Sequence, residues 1–254
     1  MRYALGLNNK ALSFNNKTLG IDPYNPLNLP PYTVRFKLIS SDAPTELEEK
    51  GTLTLVSQAE HIWDFTYQNH DWSYLFEGYQ TRIVEILGIN STNVTNMSRL
   101  FENSYLLITV PLFDTSLVTD MSEMFVGAYS LTDIPKFNTT NVVNMSRAFK
   151  DCSELKSIPL LDTSNVINME RMLYQCSKLK LLPLFNTSKV DNMELAFAFD
   201  PNIESGALAL YQQASTQANP PTNHDLTFDA CGANTKTGLI ELHQIPGSWG
   251  GLAI

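Results

Sequence analysis

The chain has 254 residues, of which 43% are apolar and 17% are charged, a balance that supports a packed core and argues against disorder. Its 17 Lys and Arg against 26 Asp and Glu give a net charge of −9, which excludes a basic surface for nucleic acid. No apolar run approaches the roughly 20 residues of a membrane span, and three cysteines cannot make a disulfide framework.

Residues 1–31 differ in kind from the rest of the chain. The doublet Asn8–Leu12 and Asn15–Leu19 could form a hairpin, and the proline-rich stretch 23–31 should be extended. No secretory signal is visible, so we expect a chain made in the cytosol and not exported by the usual route. The segment is either a loose tail or an arm that anchors the chain to a partner. The candidate anchoring residues are Tyr3, Leu5, Leu7, Leu12, Phe14, Leu19, Ile21, Tyr24, Leu27 and Leu29.

Residues 32–88 predict a small β-rich cap that ends in a degenerate repeat. The segment 71–77 is similar to 96–102 in the repeats that follow, with Trp72 in place of a methionine, and 83–87 then supplies a strand. Alternation with a period of two predicts three earlier strands, at 32–38, 52–56 and 62–67.

Residues 89–205 contain five tandem repeats of 24 residues without an insertion. In each repeat a valine precedes a methionine by three residues, a Phe or Leu follows it by four, and a Leu or Ile follows it by ten. The methionines are Met97, Met121, Met145, Met169 and Met193. Such units cannot bury their apolar side alone, so we expect them to stack into a continuous core.

One repeat reads FDTSLVTDMSEMFVGAYSLTDIPK, in which Val118, Met121 and Phe125 have the spacing of one helix face. The segment Leu131–Ile134, closed by a proline, predicts a short strand. The sequence therefore predicts an α/β solenoid with a short helix and a short strand in each unit. The expected helix N-caps are Thr92, Ser116, Thr140, Ser164 and Ser188.

Two positions of each repeat carry short polar side chains. The residue before each methionine is Asn or Asp, as at Asn96, and we expect it to bond backbone between turns, with ligand binding as the alternative. Asp114 and Asp162 alternate with Asn138 and Asn186 before a Thr, which suits turn capping better than a calcium cage.

Residues 206–254 predict a mixed C-terminal cap. We expect a helix at 206–217, a strand at 226–229 and a final helix at 238–244. The apolar tail 246–254 should tuck against the last turn.

No reactive constellation is visible, so no enzyme, cofactor or metal site is predicted. Cys152 and Cys176 fall at the same repeat position, which predicts stacked, buried thiols. Cys231 with His224 and His243 is a weak alternative for a reactive pair, since nothing nearby in the sequence activates it.

The repeats FDTSLVTDMSEMF, LDTSNVINMERML and FNTSKVDNMELAF resemble the BspA-like leucine-rich repeat family over about residues 89–206. The resemblance implies a leucine-rich-repeat solenoid and a role in adhesion or protein binding at a bacterial surface. The same repeats behind the segment Asn25–Arg35 also resemble proteins of crAss-like and related tailed phages of gut bacteria. We therefore expect a virion surface component released by lysis, with a bacterial cell-surface adhesin or scaffold as the alternative.

The variable positions of the predicted strands give a candidate binding face, with neutral drift at solvated positions as the alternative. The face comprises Ile108, Thr109, Thr132, Asp133, Lys156, Ser157, Lys180 and Leu181. Expected partners are other virion proteins through the arm and a host surface protein or glycan through the face, without nucleic acid. A homo-oligomer is open, although no heptad pattern argues for one.

Overall fold

The computed structural model describes residues 12–14, 17–19, 25–40, 45–48, 50–76 and 82–252. Its strands are β1 (Leu12–Phe14), β2 (Lys17–Leu19), β3 (Thr33–Leu38), β4 (Thr52–Ser57), β5 (Ile62–Thr66) and β6 (Ile83–Asn90). Its helices are α1 (Thr45–Glu48), α2 (Ala207–Thr216) and α3 (Lys236–Leu242), followed by a 3-10 turn at Gly247–Trp249. No helix among the described residues is both long and apolar enough to cross a membrane.

The N-terminal part is a four-stranded antiparallel sheet of order β4-β5-β3-β6, and β1 pairs with β2 in a separate hairpin. Every second residue of β3 points into the core, where Val34, Phe36 and Leu38 are buried. On the other side of the sheet the Arg35 guanidinium donates to the Asp64 carboxylate across the strand pair at 2.7 Å. The strands predicted at 32–38, 52–56, 62–67 and 83–87 are thereby confirmed. Of the hairpin expected from the doublet 8–12 and 15–19, residues 12–14 and 17–19 pair as antiparallel strands, and 8–11 and 15–16 lie outside the described residues.

The predicted helix and strand of each repeat are wrong. Between residues 91 and 205 the structure has turns and isolated parallel bridges, and neither a helix nor a ladder strand. Val118, Met121 and Phe125 are buried together, but on a chain of tight turns instead of a helix face. Ser116 and its equivalents therefore cap no helix, and Leu131–Ile134 is not a strand. The regular sheet of the molecule is antiparallel and its helices lie outside the repeats, so the α/β leucine-rich-repeat solenoid is overturned.

The turns follow from two residues per repeat with left-handed backbone. Arg99, two residues after its methionine, has φ 57°, and Asn103, six residues after it, also has φ 57°. The Leu100 amide donates to the Met97 carbonyl at 3.3 Å, which closes a turn with positive φ at its third residue, as in a type II turn. A left-handed residue cannot continue a right-handed helix, so none of these turns extends into a helix.

Successive repeats are joined by backbone hydrogen bonds, and we call one repeat with its turns a layer. Alternate amides of each layer donate to the next one, as Met97 does to Asp120 at 3.0 Å and Arg99 to Ser122 at 2.9 Å. Isolated parallel bridges link the residues before the methionines, as in Asn96 with Asp120. Stacking of the repeats is thus achieved by the backbone without extended strands.

Aromatic rings form the centre of the stack. Phe76, Phe101, Phe125 and Phe149 lie in successive layers with ring centroids 5.4 to 5.9 Å apart. All four are buried, and Leu173 takes the same position in the next layer. The spacing is that of favourable offset stacking, so ring contacts add to the burial of apolar surface.

The stack has one layer more at each end than the five repeats. At the N-terminal end Trp72 is buried and its amide donates to Asn96 at 2.8 Å, as predicted for a residue in the methionine position. At the C-terminal end 223–231 forms a layer after an insertion that contains α2, and the Met193 amide donates to Asn223 at 2.7 Å. The strand predicted at 226–229 is wrong because these residues make turns, with Leu226 at φ 53°.

The C-terminal residues cover this last layer. The predicted helices are present as α2 and α3, and the tail packs on the stack as expected. The Phe228 amide donates to the Trp249 carbonyl at 2.8 Å, and the buried Trp249 ring stacks on His224 at 4.1 Å between centroids.

Phe125→Ala should destabilise the protein by about 3–5 kcal/mol, because it removes a fully buried ring with neighbours on both sides. The free energy of unfolding from urea titration measures this loss. Ile108→Ala, at an exposed side chain, is the control and should change it by no more than about 0.5 kcal/mol. Equal losses in the two variants would contradict a continuous ring stack.

Candidate functional site

The residues of the predicted binding face lie side by side. The Thr132 amide donates to the Ile108 carbonyl at 2.9 Å, and the Lys156 amide donates to the Thr132 carbonyl at 3.0 Å. Next along the stack, the Glu204 amide donates to the Lys180 carbonyl at 2.7 Å. We call the eight residues at 108–109, 132–133, 156–157 and 180–181 the strip.

The strip combines exposed apolar ends with a polar centre. Ile108 is 54% exposed and Leu181 is 57% exposed, whereas Thr132 is half-buried. Ser157 donates to Asp133 at 3.3 Å, and the Lys180 ammonium pairs with Glu204 at 2.9 Å. Lys156 forms no ion pair among the described residues.

A shallow groove of about 340 Å³ opens within the strip. Lys156, Ser157, Lys180 and Leu181 line it together with Pro183 and Ser205. The groove therefore offers the Lys156 ammonium, hydroxyls and one large apolar side chain to a ligand, whereas the Lys180 ammonium is paired with Glu204.

The candidate anchoring residues are only partly described. Tyr3, Leu5, Leu7, Ile21 and Tyr24 lie outside the described residues. The remaining residues are Leu12 and Phe14 in β1, Leu19 in β2, Leu27, which is exposed, and Leu29, which is 4% exposed. The Asn90 amide group donates to the Leu29 carbonyl at 2.8 Å, so that residue belongs to the body of the protein and is not available to a partner.

Acidic and basic side chains that stand one or two residues after the repeat methionines neutralise one another. Arg99 pairs with Glu123 at 2.8 Å, Arg147 pairs with Glu170 at 2.6 Å, and Arg171 pairs with Glu194. Because each charge already has a partner of opposite sign in a neighbouring layer, this edge is unsuited to a charged ligand.

The short polar positions are structural, although one bonds differently from the prediction. Asn96 accepts from the Ser98 amide at 2.9 Å, a bond inside its own turn and not between turns. Asp114 caps a turn in the same way through the Ser116 amide. Buried threonines add side-chain bonds between layers to those of the backbone, as Thr115 donates to the Asn138 carbonyl at 2.8 Å. The described residues contain no group of three or more His, Cys, Asp or Glu side chains that could hold a metal.

The two ladder cysteines are stacked and buried, as predicted. Cys152 donates to the Phe125 carbonyl at 3.2 Å and Cys176 to the Phe149 carbonyl at 3.1 Å. Burial raises the pKa of the Cys152, Cys176 and Cys231 thiols, so these groups stay protonated and unreactive.

Asp200 continues this cysteine ladder, and the sequence analysis missed it. It stands 24 residues after Cys176 and is fully buried, and neither carboxyl oxygen has a hydrogen-bond partner. Burial raises its pKa well above the usual range. The 24-residue period could have placed a carboxyl in the core.

A family model described as "Mycoplasma protein of unknown function, DUF285" matches residues 70–181 and 102–208. The two matches overlap and together span more than half of the chain, from the Trp72 layer to the start of α2. That family is related to the BspA-like surface repeat proteins. No curated protein and no solved structure matches the chain.

Asp200→Cys should remove a dependence of stability on pH. The folded state holds the Asp200 proton, whereas the unfolded chain releases it near pH 3.9, so stability falls as pH rises above about 4. Cysteine reproduces the neutral side chain of Cys152 and Cys176, the groups that precede Asp200 in the ladder. Urea unfolding at pH 4 to 8 should show the wild type losing up to about 1.4 kcal/mol per pH unit relative to the variant.

Asp133→Asn, at an exposed carboxyl, is the control and should follow the wild-type curve. Cys176, Cys231, Asp151 and Glu241 are the other titratable groups in this region, and all are present in both proteins. Parallel curves for the wild type and Asp200→Cys would show that Asp200 is ionised in the folded protein.

Proposed function

We propose that this chain, which belongs to the DUF285 family of proteins of unknown function, is a non-enzymatic recognition protein that displays its stacked layers at a biological surface. One observation carries the proposal: eight residues from four successive repeats line up as the strip, and four of them line a groove. Residue types vary along the strip while the buried positions beneath it repeat. Variable side chains on a repeated backbone are the usual design of repeat proteins that bind partners.

The chemistry of the groove indicates the kind of partner. The protein carries a net charge of −9, yet Lys156 and Lys180 both face this groove. Lys180 pairs with Glu204, so the Lys156 ammonium is the charge that favours a carboxylate or other acidic group on the partner. Leu181 adds exposed apolar surface next to them, which suits a protein or glycan at a cell surface.

The surface we favour is that of a phage virion, held through the N-terminal segment, with a bacterial cell surface as the alternative. The resemblance of Asn25–Arg35 and the repeats to phage proteins supports the virion. The relation of the family to BspA-like surface proteins supports the alternative. On a virion or on a cell surface, the strip would face outward, toward a partner.

Lys156→Glu combined with Lys180→Glu should weaken binding of the labelled full chain to bacterial cells of the source culture by at least about tenfold, through loss of charge complementarity. A matched control is Lys189→Glu with Lys236→Glu, which makes the same change in net charge at exposed sites outside the groove. Flow cytometry at several salt concentrations measures the difference. Equal binding of the two double variants would show that the strip does not contribute to cell binding.

Mass spectrometry of purified phage particles should find the chain in stoichiometric amounts, and a chain lacking residues 1–24 should be absent from them. This deletion keeps Leu29, whose carbonyl accepts from the Asn90 side chain of β6 at 2.8 Å, so the sheet contact of that region is retained. Circular dichroism checks that the shortened chain is folded. Recovery of the full chain only in cell envelopes would contradict the virion and favour the cell-surface alternative.

A further inference from the structure

A second surface of the stack shares no lining residue with the groove of the strip. It is built by the residues six and eight positions after each repeat methionine, which point outward beside the buried ladder. The residues eight positions after the methionines are Tyr105, Tyr129, Ser153, Ser177 and Pro201.

The order of large and small side chains in this row creates a cleft. The Tyr105 and Tyr129 rings stack with centroids 5.2 Å apart. The next two layers carry Ser153 and Ser177, which leave the row without ring volume. Phe199, six positions after Met193, also lines the cleft, and its ring packs edge-on against Tyr174 at 5.3 Å between centroids. With layers spaced at roughly 4.8 Å, the gap is about two layers long.

The cleft measures about 300 Å³ and is lined by the aromatic side chains of Tyr129 and Phe199 and by polar side chains between them. Tyr129 is 47% exposed and Phe199 is 38% exposed, so both rings are open to a ligand. Asp151 and Gln175 line the space between them. Lys150 holds one Asp151 oxygen at 2.6 Å, and the other remains free to accept a hydrogen bond.

The backbone amides of Asp151, Ser153 and Gln175 in the cleft are occupied. Asp151 donates to the Tyr174 carbonyl at 2.8 Å and Gln175 donates to the Ala198 carbonyl at 3.1 Å, both within the stack. The Ser153 amide donates to the Asp151 carbonyl at 2.9 Å. A peptide therefore finds no row of free amides here to extend as an added strand. Recognition must come from rings, hydroxyls, one carboxylate and one side-chain amide.

We propose that this cleft binds a neutral oligosaccharide, with the Tyr129 and Phe199 rings against sugar C–H faces and with Asp151 and Gln175 bonded to sugar hydroxyls. Pyranose rings present one apolar face and a rim of hydroxyl donors and acceptors, and the cleft supplies a partner for each. The net charge of −9 and the free Asp151 oxygen disfavour a polyanion. The proposal rests on the recognition function above and names its ligand, but it uses a separate site.

Affinity electrophoresis of the full chain in gels containing mannan, laminarin, xyloglucan or galactomannan tests it. We expect at least one of these neutral polysaccharides to retard the wild type. Tyr129→Ala and Phe199→Ala should each weaken that retardation about tenfold, the effect of losing one aromatic contact. Leu160→Ala, at an exposed apolar side chain outside the cleft, is the control and should migrate as the wild type does.

Unchanged urea midpoints in all three variants show that the comparison concerns binding and not folding. The Lys156→Glu, Lys180→Glu protein should keep its polysaccharide retardation even if it no longer binds cells, so the two proposals can fail separately. Absence of retardation by every polysaccharide overturns the saccharide assignment. Retardation that survives Tyr129→Ala also overturns it. So does a peptide that binds the wild type and not Tyr129→Ala, since the cleft would then take a peptide.

Discussion

The fold depends on the hydrogen bonds that alternate amides of each layer donate to the next. The amide that makes the central bond belongs to the left-handed residue, as in Arg147, which donates to the Glu170 carbonyl at 2.7 Å. Left-handed backbone costs an ordinary residue about 1–2 kcal/mol. Here the cost recurs at every layer, in Arg99, Glu123, Arg171 and Leu195, and each of these amides bonds the next layer. The stack is therefore cooperative, because no layer can hold its turns without a neighbour.

The same turns explain why the helix prediction was wrong. Residues at i, i+3, i+4 and i+7 are buried in each repeat, as at Met121, Met124, Phe125 and Ala128, and this is also the pattern of a helix face. A run of turns that close every three or four residues produces the same spacing. Periodicity reports which residues face the core, so the core was predictable from sequence. It does not report the sign of φ at Glu123, which decides between helix and turn.

The layers that lie at or within one residue of the 24-residue spacing were predictable, and the layer displaced by an insertion was not. Trp72 was identified one repeat ahead of Met97, at a spacing of 25, and its layer is present. The final layer follows Met193 by 31 residues because α2 is inserted, and His224 stands where a methionine would. The strip residues occupy one repeat position in neighbouring layers. The aromatic cleft was not found, since it arises from side-chain size across layers.

Because the layers use their amides on one another, the stack leaves recognition to side chains. The stability of the stack and the recognition of a partner, which conflict in many proteins, are thereby separated. A surface residue can change without loss of a backbone bond between layers. One outward position carries Tyr129, Ser153 and Pro201 in different repeats, while Thr115, Thr139 and Thr163 keep the same buried bond between layers. A short stack can in this way carry a lysine groove and an aromatic cleft at once. Each surface is then free to match its own ligand on a shared scaffold.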